Sequence, residues 1–141
     1  MLDRIVRTSV FALALFACAA PSSTSSSEDF PDAAYASFTV DAIAVELRTA
    51  PAQPPERGEV TAELRVRDAA LATRDDLAID VAAFMPAHGH GAAGTPVVTP
   101  LGEGRYRVEG LALTMAGTWQ LRLAIRGEGI GARATTTIEV R

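Results

Sequence analysis

Apolar and polar residues alternate with a period of two along several stretches of this chain, and no other feature constrains its fold as strongly. In the stretch GTWQLRLAIRG, residues 117–127, four apolar side chains share one face: Trp119, Leu121, Leu123 and Ile125. Such alternation is typical of β-strands that bury one face and expose the other. The same pattern recurs in four further stretches: residues 59–68, 77–85, 105–110 and 134–141. A sustained helical repeat with caps is not seen in any segment.

Two more stretches complete the strand prediction. Residues 37–49, SFTVDAIAVELRT, read as a strand whose apolar parity switches between Val40 and Ile43, which indicates a bulge or bend. A further strand is expected at residues 96–99, and turn sequences such as LGEG and RGEGIG join the strands. About seven strands in roughly 100 residues predict an all-β fold, an immunoglobulin-like antiparallel two-sheet sandwich with Trp119 in its core. A small closed barrel is the alternative.

The N-terminus has the features of an export signal. In MLDRIVRTSVFALALFAC, a short charged start precedes an apolar run over residues 10–17. That run is shorter than the roughly 20 residues that a bilayer requires, and it fits a secretory signal. The single cysteine, Cys18, follows Leu15-Phe16-Ala17, which resembles a bacterial lipobox. We therefore expect residues 1–17 to be a lipoprotein signal peptide and Cys18 to be lipidated. The alternative is an ordinary signal cleaved near Ala19 with a chance cysteine.

The segment after Cys18 differs in composition from the rest of the chain. Residues 18–37 are rich in Ser, Thr, Pro and acids, which predicts a flexible tether between a lipid anchor and a folded domain at residues 38–141. Ala19 follows the cysteine, a pattern that generally sends Gram-negative lipoproteins to the outer membrane. The expected location is therefore the cell envelope, with the domain attached to the membrane through the N-terminal lipid and facing the periplasm.

Charge and composition exclude several function classes. The formal net charge is −4, and all 13 basic residues are Arg without forming a cluster, which argues against a nucleic-acid partner. No Ser follows Ser37 and the chain has no Lys, so the domain offers neither a serine nucleophile nor a Schiff base. Asp75 and Asp76 are interpreted as a solvated turn, and no phosphate-binding glycine loop is present. We expect a protein that binds rather than catalyses, with no small-molecule substrate evident.

The stretch FMPAHGHGAAG, residues 84–94, holds both histidines of the chain and one of its two internal methionines. Pro86 should end the strand, and His88 and His90 then flank Gly89 in a loop. Residues two apart in an extended chain point the same way, so both imidazoles can reach one metal ion. Imidazole suits copper, zinc and nickel, and thioether sulfur selects Cu(I), which makes Met85 and Met115 candidate soft ligands. Alternatively, both methionines continue the inward parity of their strands, and the turn is a plain solvent-facing loop or a protein-docking loop.

Two segments of the chain resemble the YtkA-like/FixH-like domains of exported bacterial proteins. The resemblance rests on FMPAHGHG and on GEGRYRVEGLALTMAGTWQLRL, at ten matching positions: Met85, Pro86, His88, His90, Gly104, Tyr106, Met115, Gly117, Trp119 and Leu121. It implies an immunoglobulin-like sandwich and a link to copper handling in the periplasm. The predicted function is copper binding or delivery through His88 and His90, assisted by Met85 and Met115, with a copper-receiving protein as partner. The competing prediction is a metal-free interaction or envelope-assembly module that uses the same loop.

Overall fold

The computed structural model describes residues 30–141, so the predicted signal peptide, Cys18 and most of the predicted tether lie outside the described residues. The described chain consists of β-strands and connections, and no helix that could cross a bilayer occurs within residues 30–141. Its nine strands are β1 (Ala36–Val40), β2 (Ile43–Ala50), β3 (Gly58–Asp68), β4 (Ala78–Met85), β5 (His90–Gly91), β6 (Val97–Gly102), β7 (Arg105–Leu113), β8 (Gly117–Gly127) and β9 (Ile130–Val140).

The strands form two antiparallel sheets that pack face to face. One sheet has five strands in the order β1-β2-β3-β7-β6, and the other has four in the order β5-β4-β8-β9. Every strand pair in both sheets is antiparallel. The prediction of an all-β, antiparallel two-sheet sandwich is therefore confirmed.

The structure has two more strands than the alternation indicated, and each has a local cause. The parity switch near Val40 is a two-residue turn rather than a bulge within one strand: Val40 pairs directly with Ile43, and Asp41 adopts a positive φ of 50°. This turn divides the predicted first strand into the hairpin β1–β2. The second addition is β5, only two residues long, which follows the Pro86 turn and pairs back with β4.

The core fills the space between the sheets and uses the apolar faces that the alternation indicated. Trp119 is fully buried, together with its strand neighbours Leu121 and Ile125, and Tyr106 enters the core from the opposite sheet. The Tyr106 hydroxyl donates to the carbonyl oxygen of Arg74 at 2.7 Å and accepts from the Leu77 N–H at 3.2 Å. This pair of hydrogen bonds fixes the connection between β3 and β4 to the core.

One end of the sandwich, here called the turn end, carries several chain segments that are distant in sequence. Here β4 ends at Met85, β8 begins at Gly117, and Gly117 pairs with Val140 near the C-terminus. The N-terminal part of the described chain also enters at this end. The Tyr35 N–H donates to the Leu47 carbonyl at 2.7 Å, and the Tyr35 hydroxyl accepts from the Glu139 N–H at 2.9 Å. The packed domain thus begins before Phe38, the residue at which the composition change placed its start.

Candidate functional site

The site begins where Pro86 interrupts β4. Proline lacks the N–H that a sheet ladder needs, so the strand ends and the chain turns. The turn closes on the carbonyl oxygen of Met85, which accepts from the N–H groups of His88 at 3.2 Å and Gly89 at 2.9 Å. Gly89 has a φ of +70°, a conformation that glycine adopts at little cost. The chain then returns, and His90 pairs with Met85 as the first residue of β5.

This hairpin brings the two imidazoles together on the surface. His88 and His90 are both exposed, their ring centroids lie 5.9 Å apart, and their planes are tilted by 47°. His90 Nδ1 lies 3.0 Å from the Gly91 carbonyl oxygen. When Nδ1 carries the proton and donates to that oxygen, Nε2 keeps a lone pair for a ligand. The turn therefore presents a pair of nitrogen donors, of which one has an oriented ring.

The indole of Trp119 supports the histidine pair from the core side. Its ring meets the His90 ring edge-on, with centroids 6.1 Å apart and an interplanar angle of 75°. The Trp119 Nε1–H donates to the Met115 carbonyl oxygen at 2.9 Å, so the indole is fixed on its polar side as well. The sequence predicted Trp119 as a core residue but not as a neighbour of His90. That contact depends on the pairing of β4 with β8, and the only local signal was the Met-x-Gly-x-Trp motif.

The two methionines lie at the same end of the sandwich but deeper than the imidazoles. Met85 is only 3% exposed, and its methyl group packs so closely on Gly117 that a Cβ there would lie 3.0 Å from it. Met115, in the connection from β7 to β8, is half-buried against the core. All four predicted site residues thus belong to segments at the turn end, where the two histidines are exposed, Met85 is buried and Met115 is half-buried. The predicted lipidation residue, Cys18, lies outside the described chain.

The turn itself lacks acidic and basic residues other than its histidines. Residues 85–94 comprise only Met, Pro, Ala, His and Gly. Just before the turn, the guanidinium of Arg122 lies 4.0 Å from the ring centroid of Phe84 in β4. Within residues 30–141, no three His, Cys, Asp or Glu side chains come close enough to hold a metal ion. A metal bound by this turn alone would therefore have two imidazole ligands, and its other coordination positions would need further donors.

Comparison with known proteins assigns the chain to a family. No curated protein and no solved structure matched the chain. The family described as YtkA-like matches residues 39–124, a range that includes the whole turn, the Met115 connection and Trp119. Because this match covers more than half of the 141 residues, the chain belongs to the YtkA-like family.

Proposed function

We propose that this protein is a lipid-anchored, periplasm-facing copper-binding or copper-delivery protein, and that it binds rather than catalyses. The observation that carries the proposal is the pair of exposed imidazoles on one short turn, 5.9 Å apart between ring centroids. With metal–nitrogen distances of about 2 Å, two imidazoles that share an ion have centroids roughly 4.5 to 6.3 Å apart. The separation of His88 and His90 falls within that range, so both rings can ligate one ion with small rotations.

The chemistry of the donors favours copper over other metals. Imidazole nitrogen is a good ligand for Cu(II), and thioether sulfur is a soft ligand for Cu(I). His88 and His90 supply the first type, and Met85 and Met115 supply the second at the same end of the sandwich. A structural zinc site normally has four closed protein ligands with thiolates or carboxylates, and the uncharged turn has neither. In this proposal the Gly91 carbonyl accepts a hydrogen bond from His90 Nδ1 and the Trp119 indole packs against its ring, and together they orient the imidazole toward a metal.

The competing function is a metal-free docking module. The observation in its favour is that the turn is exposed and made of small uncharged residues, which lets another protein approach its backbone closely. In that case the imidazoles are incidental, and Met85 and Met115 contribute only to packing.

Copper titration of the purified protein distinguishes the two functions. We expect the combined change His88→Ala and His90→Ala to abolish Cu(II) binding, measured by electron paramagnetic resonance and by competition with a chelator. Met85→Leu with Met115→Leu, which keeps the apolar volume, should chiefly weaken Cu(I) binding. Cu(II) affinity should also fall as pH is lowered, because protons compete with the metal for imidazole nitrogen.

Thr114→Ala is the matched control, since Thr114 is exposed in the same connection as Met115 and carries no metal-binding role in the proposal. It should leave both affinities unchanged. If the wild-type protein binds copper no more tightly than the His88→Ala, His90→Ala variant does, the result would favour the docking function. Circular dichroism of each variant checks that the sandwich is intact.

A further inference from the structure

We propose that Cu(II) at this turn is shared between two copies of the chain, which meet turn to turn and each contribute His88 and His90. The inference rests on the proposed copper function and goes beyond it by naming the partner and the number of ligands. It follows from what the turn provides, what it lacks, and what surrounds it.

The turn provides too few donors for the ion that its imidazoles select. Cu(II) favours a tetragonal set of four nitrogen or oxygen ligands. The turn offers two imidazole nitrogens, and no third His, Cys, Asp or Glu joins them among residues 30–141. The thioethers do not fill the gap, because sulfur is the softer ligand that suits Cu(I) and Met85 is 3% exposed, packed on Gly117. One chain thus leaves two of the preferred positions open.

A second copy of the same turn matches the open positions in kind and number. Two turns related by a two-fold axis bring four imidazole nitrogens to one point, and a two-fold interface uses the same patch on both partners. The glycines and alanines that flank the imidazoles, Ala87, Gly89 and Gly91, have no side chain long enough to hold the two backbones apart. Within each copy, the hairpin already holds the His88 and His90 rings close together.

The composition of the turn also permits contact between copies. Residues 85–94 contain no Asp, Glu, Arg or Lys, so two turns that meet bring together no like-charged side chains from these residues. Without copper, so small a patch is too limited to hold a stable dimer, and the association should depend on the metal.

The test measures stoichiometry, ligand number and mass together on the full chain in detergent, with Cu(II) as the only added metal. We expect the titration to end at half a copper ion per chain and the resonance spectrum to show four coordinated nitrogens. The protein mass in sedimentation should double on adding copper and return to its starting value with a chelator. His88→Ala, which leaves one imidazole per turn, should remove the mass increase, whereas Thr114→Ala should not.

The outcomes separate this inference from the function on which it rests. One copper ion per chain, bound by two nitrogens at unchanged mass, overturns the shared site and leaves the copper function standing. Binding no stronger than that of the His88→Ala, His90→Ala variant overturns both. A mass increase that occurs equally without copper also overturns the inference, because it shows a dimer that the metal does not form.

Discussion

Gly104 illustrates how one residue in a turn can be fixed by the backbone around it. It lies between β6 and β7 with a φ of +71°, and a Cβ at this position would come within 2.5 Å of the Val66 carbonyl oxygen. That oxygen belongs to the backbone of β3, which cannot move aside as the end of a side chain could. The Gly104 N–H also donates to Asp75 Oδ1 at 2.6 Å, and its carbonyl accepts from the Val66 N–H at 2.8 Å. The glycine is thus required both by its φ and by the close approach of β3.

Gly104→Ala and Gly129→Ala form a matched pair that separates these two requirements. Gly129 has the same φ of +71° in the β8–β9 turn, but nothing lies within 4 Å of a Cβ there. Gly129→Ala should cost only the backbone term, about 1–2 kcal/mol of unfolding free energy. Gly104→Ala should cost clearly more, because the backbone of β3 must also shift. Chemical denaturation measures both values, and equal losses would contradict the close approach at Gly104.

Trp119 is the residue whose removal should affect the core most. It is fully buried and is the largest side chain there, so Trp119→Ala leaves a cavity that the neighbouring strands cannot close. We expect a loss of about 3–5 kcal/mol in unfolding free energy, measured by denaturation. Trp119→Phe should lose much less, because most of the apolar volume remains. A neutral Trp119→Ala would show that the indole does not fill the core.

At the scale of elements, a pair of charged residues on β2 links the sheet to the N-terminal segment. Arg48 is 4% exposed, and its guanidinium donates to the carbonyl oxygens of Pro31 and Asp32 at 3.0 Å and to Glu46 Oε2 at 2.8 Å. The hydrogen bond from Arg48 lowers the pKa of Glu46 below its ordinary value. This carboxylate therefore stabilises the folded state when it is ionised.

The stabilisation by Glu46 should depend on pH in one direction. The pKa of Glu46 is lower in the folded state than its ordinary value of 4.5. The stability that ionised Glu46 adds to the fold is therefore fully present above pH 4.5, and it is lost as the pH falls through the lower, folded-state pKa. Glu46→Gln should therefore be less stable than the wild type at neutral pH, by less than about 1 kcal/mol because Glu46 is partly exposed. The difference should shrink on acidification. Denaturation curves at a series of pH values test this, and a gap that widens in acid would reverse the assignment.

Alternation predicted the strands well because each strand buries one face against the opposite sheet. It could not predict the burial of Glu63, which lies on the outer face of β3 and is nevertheless 2% exposed. The strands beside β3 place Arg48 and Arg107 directly opposite Glu63, and Arg65 Nε lies 2.6 Å from its carboxylate. Which strands become neighbours is a non-local property, so the pattern of β3 alone does not contain it.

In the candidate site, too, the sequence predicted the local contacts but not the contacts between distant residues. The single glycine between His88 and His90 indicated that the two imidazoles lie close together. The extended chain expected there is instead a turn, with Gly89 at a φ of +70° and His90 paired with Met85. The contact of His90 with Trp119 was not predictable, because it joins residues 29 positions apart through the pairing of β4 with β8. The depth of Met85 below the turn likewise depends on its packing against Gly117 of β8.

At the scale of the whole molecule, attachment to a membrane is expected to depend on a single residue. Cys18→Ala should abolish lipidation and leave precursor or soluble protein in a Gram-negative host, measured by fractionation and by labelling with a fatty acid. The physical reason is that the acyl chains are attached through Cys18, so the variant has none. Stable anchoring needs more than one such chain, and each buried CH₂ contributes about 0.8 kcal/mol. The sandwich itself should be unaffected. A wild-type chain that carries no lipid and fractionates with soluble proteins would overturn the prediction.

The N-terminal segment of the described chain enters the sandwich at the turn end, the same end that carries the imidazoles. Tyr35 is bound to Leu47 and Glu139 beside the same end that carries the imidazoles. Eleven residues lie between Cys18 and Phe30, so the twelve Cα–Cα steps that join them can span at most about 43 Å. The opposite end, with the Gly129 hairpin, lies farther away by the length of the 11-residue β8, roughly 36 Å. If the chain is anchored at Cys18, its imidazoles lie at the end of the sandwich where the tether enters, and the Gly129 hairpin lies at the opposite end.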